Sequence, residues 1–303
     1  MKQFLYMTIF IILFIIMLLF PSETFRGASN GLLLWFQTIL PTLLPFIILS
    51  NLLIYTNATY YISRVLRPLL QPIFRVSDES CYAILVGFLC GYPMGAKVIS
   101  DLVKNECITK CEGQYLLSFC NNTSPMFLVS YVVMQNLKTP SLLLATLLIL
   151  FLTPVFCSVI FRMFYRENSG YNPSYSTRKL RFDFMLFDNA IMNGFETITK
   201  VGGYIMIFSI LFTLGNRLSF NWFLPVLEIS NGIPWIANKG LPLCIAFPLI
   251  LALTSFGGLC AVMQTYSMIQ ESGLRIFPYI IQKLITATVT SLFAYFYVLF
   301  IHQ

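Results

Sequence analysis

Two long apolar segments of this sequence are each interrupted near the centre by glycine and polar residues. Segment 81–104 is interrupted at 91–95, which reads Gly-Tyr-Pro-Met-Gly, and segment 241–270 at 255–258, which reads Ser-Phe-Gly-Gly. A helix broken inside hydrocarbon exposes backbone N–H and C=O groups that lipid cannot satisfy. Such breaks persist where protein or a polar cavity surrounds them. Paired breaks in two halves of a chain indicate the binding site of a transporter.

The composition places these segments in a helical membrane protein. Of the 303 residues, 57% are hydrophobic and 10% are charged, and the mean hydropathy is +0.78. This balance excludes a soluble globular protein. The net charge of +7 comes largely from loops between apolar runs, where basic residues set membrane topology rather than bind nucleic acid. We therefore predict an all-α polytopic membrane protein with the lipid bilayer as its partner and no nucleic-acid partner.

The apolar segments suit spans of about 20 residues across a ~30 Å hydrocarbon layer. These segments are 4–20, 31–55, 81–104, 113–135, 139–161, 184–218, 241–270 and 274–301. The first lacks a small-x-small cleavage site, so we interpret it as an uncleaved extra N-terminal span. The predicted units are an N-terminal transmembrane helix at 1–26, a first repeat with a linking span at 27–161, a basic cytoplasmic linker at 162–183 and a second inverted repeat at 184–303.

Charge favours re-entrant hairpins over crossing helices for the two interrupted segments. If every segment crossed, the basic stretches 56–80 and 162–183 would lie on opposite sides of the membrane. If 81–104 and 241–270 are hairpins, most basic residues face one side and both termini are cytoplasmic, as the positive-inside rule requires. A hairpin arm of about 11 residues at 1.5 Å each reaches roughly half the hydrocarbon thickness, so each break lies near the midplane.

The hairpins define two units, each with a helix before the hairpin and a helix after it. The units are 31–55, 81–104 and 113–135, and then 184–218, 241–270 and 274–301. One unit starts outside and the other inside, so the fold class predicted is two inverted repeats, an architecture typical of secondary transporters. Two kinked helices in an ordinary bundle are the alternative, because glycine is common in membrane helices.

The first break carries groups that suit an anion. Gly91 and Gly95 permit close backbone approach, Pro93 lacks an N–H donor, and Tyr92 offers an aromatic face. Lys97 places a positive charge at bilayer depth, which requires a cavity or a counter-ion. We predict that Lys97 and the free N–H groups of the second arm bind an anion. The alternative is a lysine that extends to the interface.

Polar residues also interrupt the segment that follows the first hairpin. Asn121, Asn122, Thr123 and Ser124 precede Pro125. The proline explains a break, and the four side chains supply hydrogen-bonding groups to line it. We predict that these four residues contact the substrate, with the two asparagines orienting it.

The second half contributes further candidate substrate-binding residues. Glu228 is one of few acids assigned to the external side, and a Ser-Asn-Gly turn follows it; a solvated loop residue is the alternative. The candidates of this half are Glu228, Ser230, Asn231, Ser255, Phe256, Gly257, Gly258 and Gln264. Separately, Glu196 and Lys200 stand four residues apart in an apolar helix, which predicts an ion pair with either a structural or a coupling role.

The sequence gives no support for catalytic or metal chemistry. The single histidine, His302, lies beside the C-terminus, and the eight cysteines include no CxxC pair. Motifs of zinc proteases, serine hydrolases, P-loop proteins and dinucleotide-binding proteins are absent from the sequence. We predict no catalytic residue, no metal site and no cofactor, although transport would allow a coupling ion.

The same motifs resemble those of a known family. Four segments carry the resemblance in order: 87–97, 119–127, 227–232 and 255–259. They are similar to the sporulation integral membrane proteins of the YlbJ (SpoVV) type, over about residues 27–300. That family carries the nucleoside-recognition Gate domain, shared with concentrative nucleoside transporters and the ferrous-iron permease FeoB.

The resemblance implies a location and an activity. It implies a multi-pass protein of a bacterial cell membrane or the forespore outer membrane, in a family associated with moving dipicolinic acid into the spore. It also favours the candidate residues given above as the site. A departure is Cys260-Ala261, where a polar residue is expected.

A small organic anion is the substrate that these residues suit best. Dipicolinate is a planar dianion, and a lysine, amide donors and the faces of Tyr92 and Phe256 complement it better than they complement a nucleoside. We predict a carrier of such an anion, most specifically dipicolinic acid during spore formation. The alternatives are a nucleoside or cation transporter of the same fold and a non-transporting structural protein of the spore envelope.

Overall fold

A computed structural model describes residues 2–56, 58–165, 184–218 and 223–301, and the regular elements in these ranges are all helical. The helices of the first half are α1 (Lys2–Leu19), α2 (Pro21–Leu34), α3 (Leu40–Tyr55), α4 (Thr59–Phe74), α5 (Ser80–Leu89), α6 (Met94–Lys104), α7 (Lys110–Phe119) and α8 (Leu143–Phe161). The remaining helices are α9 (Phe184–Arg217), α10 (Leu224–Leu227), α11 (Ile229–Ala237), α12 (Leu243–Phe256), α13 (Gly258–Ile269) and α14 (Ile276–Ile301). Phe127–Leu137 is π-helical, and a π-helical turn, Trp35–Ile39, joins α2 to α3.

Five helical stretches in the described residues are long and apolar enough to cross a membrane. They are Pro21–Tyr55, Pro140–Phe164, Phe184–Arg217, Leu243–Ser272 and Ile276–Phe300. Shorter apolar helices occupy Met7–Leu19, Ser80–Leu89 and Phe127–Leu137. The prediction of an all-α, multi-pass membrane protein is confirmed.

Both predicted interruptions are helix breaks in the structure. The chain leaves α5 at Leu89 and begins α6 at Met94, and it leaves α12 at Phe256 and begins α13 at Gly258. The breaks use backbone angles that favour glycine, with φ of +90° at Gly91 and +87° at Gly257. Hairpins that re-enter from opposite leaflets, and an inverted relation between the two units, stay predictions.

The first hairpin is closed tightly by two glycines. A Cβ built on Gly95 would lie 3.0 Å from the Cα of Gly87 and would overlap the carbonyl oxygen of Cys120. The arms α5 and α6 therefore pack against each other and against the end of α7. In the second segment, α12 packs along α14, and α13 packs on α6, α9 and α14. The two arms of this segment therefore have largely different neighbours.

The helix predicted to begin at 31 begins at Pro21 instead. Proline at the first helical position and Glu23 in the first turn favour this earlier start. The added turns pack on α9 because Gly27 and Gly31 allow close approach: a Cβ on Gly27 would lie 2.8 Å from the Cα of Ile210. The boundary at 26 between the first two predicted units therefore falls inside α2.

Two further helical regions were not predicted from the sequence. The stretch 59–74 contains two arginines and two prolines, which resemble a basic loop, but it forms the amphipathic helix α4. The short helices α10 and α11 replace the predicted external loop between α9 and α12. At the basic linker, α8 is extended by a 3₁₀ turn at Arg162–Phe164, and 166–183 lies outside the described residues.

Candidate functional site

The two breaks meet inside the fold. The Tyr92 hydroxyl donates a hydrogen bond to the main-chain oxygen of Ser255 at 2.9 Å. The ring of Tyr92 covers Gly257, where a Cβ would lie 2.8 Å from it. Thr123, from the third interruption, donates to the carbonyl oxygen of Thr254 at 3.0 Å. Three interruptions predicted separately from the sequence thus form one junction.

Asn121 holds this junction together and is fully buried. Its Nδ2 donates to Thr265 Oγ1 at 2.8 Å and to Tyr279 Oη at 3.0 Å, and its Oδ1 accepts from the N–H of Ala96 at 3.3 Å. These bonds connect the 120–126 stretch to α6, α13 and α14. The amide of Asn121 is saturated by protein and lies outside the cavity lining.

A cavity of about 230 Å³ lies beside the junction. The predicted residues that line it are Gly91, Tyr92, Thr123, Ser124, Glu228, Ser230, Gly257 and Gln264. Further polar or thiol-bearing residues in the lining are Thr38, Thr42, Cys90, Ser130, Tyr131, Gln135 and Cys260. The cavity is bounded by α2–α3, both breaks, the Phe127–Leu137 segment, α9 and the start of α11. Both halves of the chain therefore contribute to its wall.

Glu228 is the one acidic or basic side chain in the described lining, and it is almost fully buried. It is the N-cap of α11: its carboxylate accepts from the N–H of Asn231 at 2.9 Å, from the Asn231 amide at 3.1 Å and from the Ser230 hydroxyl. A carboxylate at a helix N-terminus satisfies free N–H groups and is stabilised by the helix dipole. Glu228 therefore acts as the N-cap of α11. It also lines the cavity, where a ligand would lie close to it.

The N-terminus of α13 lies at the cavity wall, where the helix dipole favours a negatively charged group. Gly257, Cys260 and Ala261 line the wall where this helix begins. The first N–H groups of a helix have no intrahelical acceptor and favour negatively charged groups. Gln264, one turn further along, is 6% exposed and lines the same wall. Gln264 thus gives this arm one polar group at the cavity despite the departure at Cys260-Ala261.

Lys97 lies outside the described cavity lining. Its Nζ is 2.8 Å from Asp101 Oδ2, and both side chains are largely buried. The predicted need for a counter-ion is met by the next turn of the same helix. A direct contact of Lys97 with a ligand has no support from this arrangement.

Other predicted residues support the cavity wall. Ser255 Oγ accepts from Thr290 at 3.2 Å, and Asn231 donates to Ser209 Oγ at 3.0 Å. Phe256 is buried in the core, and Gly258 lies against the backbone of α10 and α11. Pro93 and Gly95 are buried at the start of α6, so these six residues act in packing around the site.

Three other predicted polar residues lie away from the cavity or behind it. The Glu196–Lys200 pair forms as predicted, with Nζ 2.7 Å from Oε1, on an exposed face of α9. Asn122 donates to the carbonyl oxygen of Phe119 at 2.7 Å, and its Oδ1 accepts from Lys283 at 3.1 Å. Neither the pair nor Asn122 is in the lining.

Lys283 was not predicted from the sequence, yet it lies at the junction. It is 1% exposed, and its Nζ donates to the main-chain oxygen of Asn121 at 2.9 Å as well as to Asn122. Its Nζ also lies 5.1 Å from the centre of the Tyr92 ring. The sequence predicts that a lysine in an apolar run lies within the membrane. Only the fold shows that this lysine lies beside the breaks.

The chain is similar to known membrane proteins. Residues 36–166 match the Gate family, described as nucleoside recognition. The chain is 23% identical over 318 residues to the sporulation integral membrane protein YlbJ of Bacillus subtilis (strain 168), covering 90% of this chain and 77% of that protein. No solved structure matches the chain. The chain is therefore a multi-pass integral membrane protein with a match to the Gate, or nucleoside-recognition, family over 36–166, and it is similar to a sporulation membrane protein.

Proposed function

We propose that the protein is a carrier that moves a small organic anion across a bacterial membrane through the cavity between the two breaks. The observation that carries the proposal is the junction of Tyr92 with Ser255 and Gly257 at the wall of that cavity. Broken helices from two halves that meet around one cavity are the arrangement that alternating access uses. A volume of about 230 Å³ suits a small solute.

Several features of the wall favour a carboxylate. The start of α13 offers N–H groups and the positive end of a helix dipole. The hydroxyls of Thr38 and Ser124 add donors, whereas those of Thr42 and Ser130 donate to main-chain oxygens of their own helices. The one acidic side chain, Glu228, is already compensated by the N-terminus of α11 and by two neighbouring side chains. A planar aromatic carboxylate could also stack on Tyr92.

Dipicolinic acid during spore formation is the specific substrate that we propose. The similarity to a protein named for sporulation supports this choice, and the ring of Tyr92 in the lining offers a face for a planar ligand. The proposal includes the forespore outer membrane as location, two inverted repeats with re-entrant hairpins, and both termini in the cytoplasm. The excess of basic residues on one side under that topology supports it.

A nucleoside is the second candidate, because Glu228 and Gln264 both face the cavity. A carboxylate and an amide are the groups that bind ribose hydroxyls and base edges. The description of the matching family as nucleoside recognition also favours this candidate.

Uptake into proteoliposomes would separate the candidates. Purified protein is reconstituted, and entry of labelled dipicolinate is measured with imposed Na⁺ or H⁺ gradients and with unlabelled uridine as competitor. We expect saturable dipicolinate uptake that uridine does not inhibit. Saturable uridine uptake would support the second candidate. Uptake of neither compound under any gradient would contradict both and favour a structural role in the spore envelope.

A further inference from the structure

Lys283 differs from the lysines that form ion pairs in the described residues. Lys97 is paired with Asp101, and Lys104 with Glu271. Within the described residues no carboxylate lies within 4 Å of the Lys283 ammonium, although its side chain is 1% exposed. Its oxygen partners there are one main-chain carbonyl and one amide, both uncharged.

Burial of a positive charge in this position has a large free-energy cost, which indicates a functional role. Transfer of an ammonium from water to an apolar interior carries a large penalty, which uncharged acceptors offset only in part. The main-chain oxygen of Asn121 could be satisfied by a neutral donor such as glutamine. Ionisable residues inside membrane proteins usually mark a pathway for a charged solute.

The charge stands directly behind the cavity wall. Tyr92 lines the cavity with one part of its surface, and Lys283 lies 5.1 Å from the centre of the same ring. Thr123 and Ser124, which follow the two residues that bind the ammonium, also line the cavity. One aromatic ring and one turn of backbone therefore separate the Lys283 amino group from the ligand space. When the amino group is protonated, its field in the cavity is screened little, because the surroundings are apolar.

We infer that Lys283 provides the positive charge by which the cavity selects a carboxylate anion over a neutral solute of the same shape. This inference rests on the proposed carrier function and gives that function its charge selectivity. Lys283 acts across Tyr92 and through the 121–124 stretch, so it is a specificity-determining residue rather than a group that touches the ligand in this structure.

Two compounds of equal shape test the inference. Dipicolinate is the anion, and pyridine-2,6-dicarboxamide is its neutral counterpart. Uptake of each is measured with full-length protein in proteoliposomes, and the ratio of the two is compared among variants. We expect Lys283→Met to lower the ratio roughly tenfold or more, through loss of anion uptake with little change in diamide uptake. Lys283→Arg should keep most of the preference because it keeps the charge.

A second variant neutralises the charge without removing the lysine. Asn122→Asp places a carboxylate where Asn122 Oδ1 now accepts from Lys283 at 3.1 Å. The internal ion pair should lower the ratio as Lys283→Met does, with nearly unchanged side-chain volume. Lys104→Met is the matched control, since that lysine is already paired with Glu271 at the end of α6, and its ratio should equal that of the wild type.

The outcomes separate the inference from the proposed function. An unchanged ratio in Lys283→Met and Asn122→Asp, or an equal loss of both compounds, would overturn the selectivity role while leaving the carrier proposal intact. If Lys283→Met does not insert, Asn122→Asp alone decides. Failure of the wild type to take up either compound would instead contradict the carrier proposal.

Discussion

The hydroxyl of Tyr92 and the main-chain oxygen of Ser255 are 163 residues apart in the chain and 2.9 Å apart in the fold. A carbonyl at a helix break has lost its intrahelical donor, and lipid cannot replace it. Tyr92 supplies that donor and at the same time lines the cavity. Tyr92 therefore both stabilises the second break and forms part of the cavity wall.

Replacement of Tyr92 by phenylalanine should weaken the junction while keeping the ring. The change leaves a buried carbonyl without a donor, at a cost of about 1–3 kcal/mol. We expect a lower melting temperature in detergent and slower uptake. Tyr61→Phe is the control, because Tyr61 is 71% exposed, and its melting temperature should match the wild type. Equal melting of the two variants would show that the bond contributes nothing measurable.

Asn121 is expected to act in stability rather than in ligand binding. Asn121→Ala removes donors to Thr265 and Tyr279 and the acceptor of the Ala96 N–H. Because several buried partners are left unsatisfied, we expect a loss of about 3 kcal/mol or more, seen as a lower midpoint of chemical unfolding. Thr123→Val should cost less but reduce uptake, since Thr123 lines the cavity. A fully stable Asn121→Ala protein with impaired ligand affinity would instead restore the direct contact predicted from sequence.

Gly95 and Gly203 both lie in apolar segments of the sequence, but replacement by alanine should change stability in opposite directions. At Gly95 a Cβ would overlap the Cys120 carbonyl and crowd Gly87, both of which are backbone and cannot move aside cheaply. At Gly203, within α9, no atom beyond the neighbouring helix backbone lies within 4 Å of the new Cβ. We expect Gly95→Ala to prevent stable folding and Gly203→Ala to raise stability by up to ~1 kcal/mol from helix propensity. Purification yield and thermal unfolding measure both, and a stable Gly95→Ala protein would contradict the close packing of the first hairpin.

These residues also show what the sequence could and could not predict. The breaks were predictable because glycine, proline and paired asparagines are local signals inside apolar runs. Asn121 was identified as important, but its role as a buried connector depends on Thr265 and Tyr279, which are distant in sequence.

Residues whose neighbours come from tertiary structure were harder to place. Lys97 has its partner one turn away at Asp101, a spacing that the sequence also shows. Lys283 lies in an apolar run with no local motif, so its position behind Tyr92 follows only from the packing of α14. The helices α10 and α11 contain Pro, Asn and Gly and resemble a loop. Glu228 nevertheless caps α11 and is buried.

Glu228 offers a test of the charge of the ligand. Glu228→Gln keeps the size and an acceptor for the Asn231 N–H but removes the negative charge from the cavity wall. For an anionic ligand we expect tighter binding, a severalfold lower KM, because a like charge is removed. Stability should fall by about 1 kcal/mol, since a neutral cap is weaker. Weaker dipicolinate binding in this variant would contradict the anion assignment, and weaker uridine binding with unchanged dipicolinate uptake would do so as well.

Filling the cavity should stop transport without unfolding the protein. Ala261 lines the cavity near the start of α13, so Ala261→Phe would place a ring in the ligand space rather than in the packed core. We expect uptake in proteoliposomes to fall to background while membrane insertion and helical content stay normal, because the cavity of about 230 Å³ has room for the new side chain but not for a ligand as well. The matched control is Met263→Phe, two residues further along the same helix, where the side chain is 39% exposed and outside the described lining. That variant should transport as the wild type does. If Ala261→Phe transports normally, solute does not pass through this cavity, and the junction of the two breaks would have to be interpreted as packing alone.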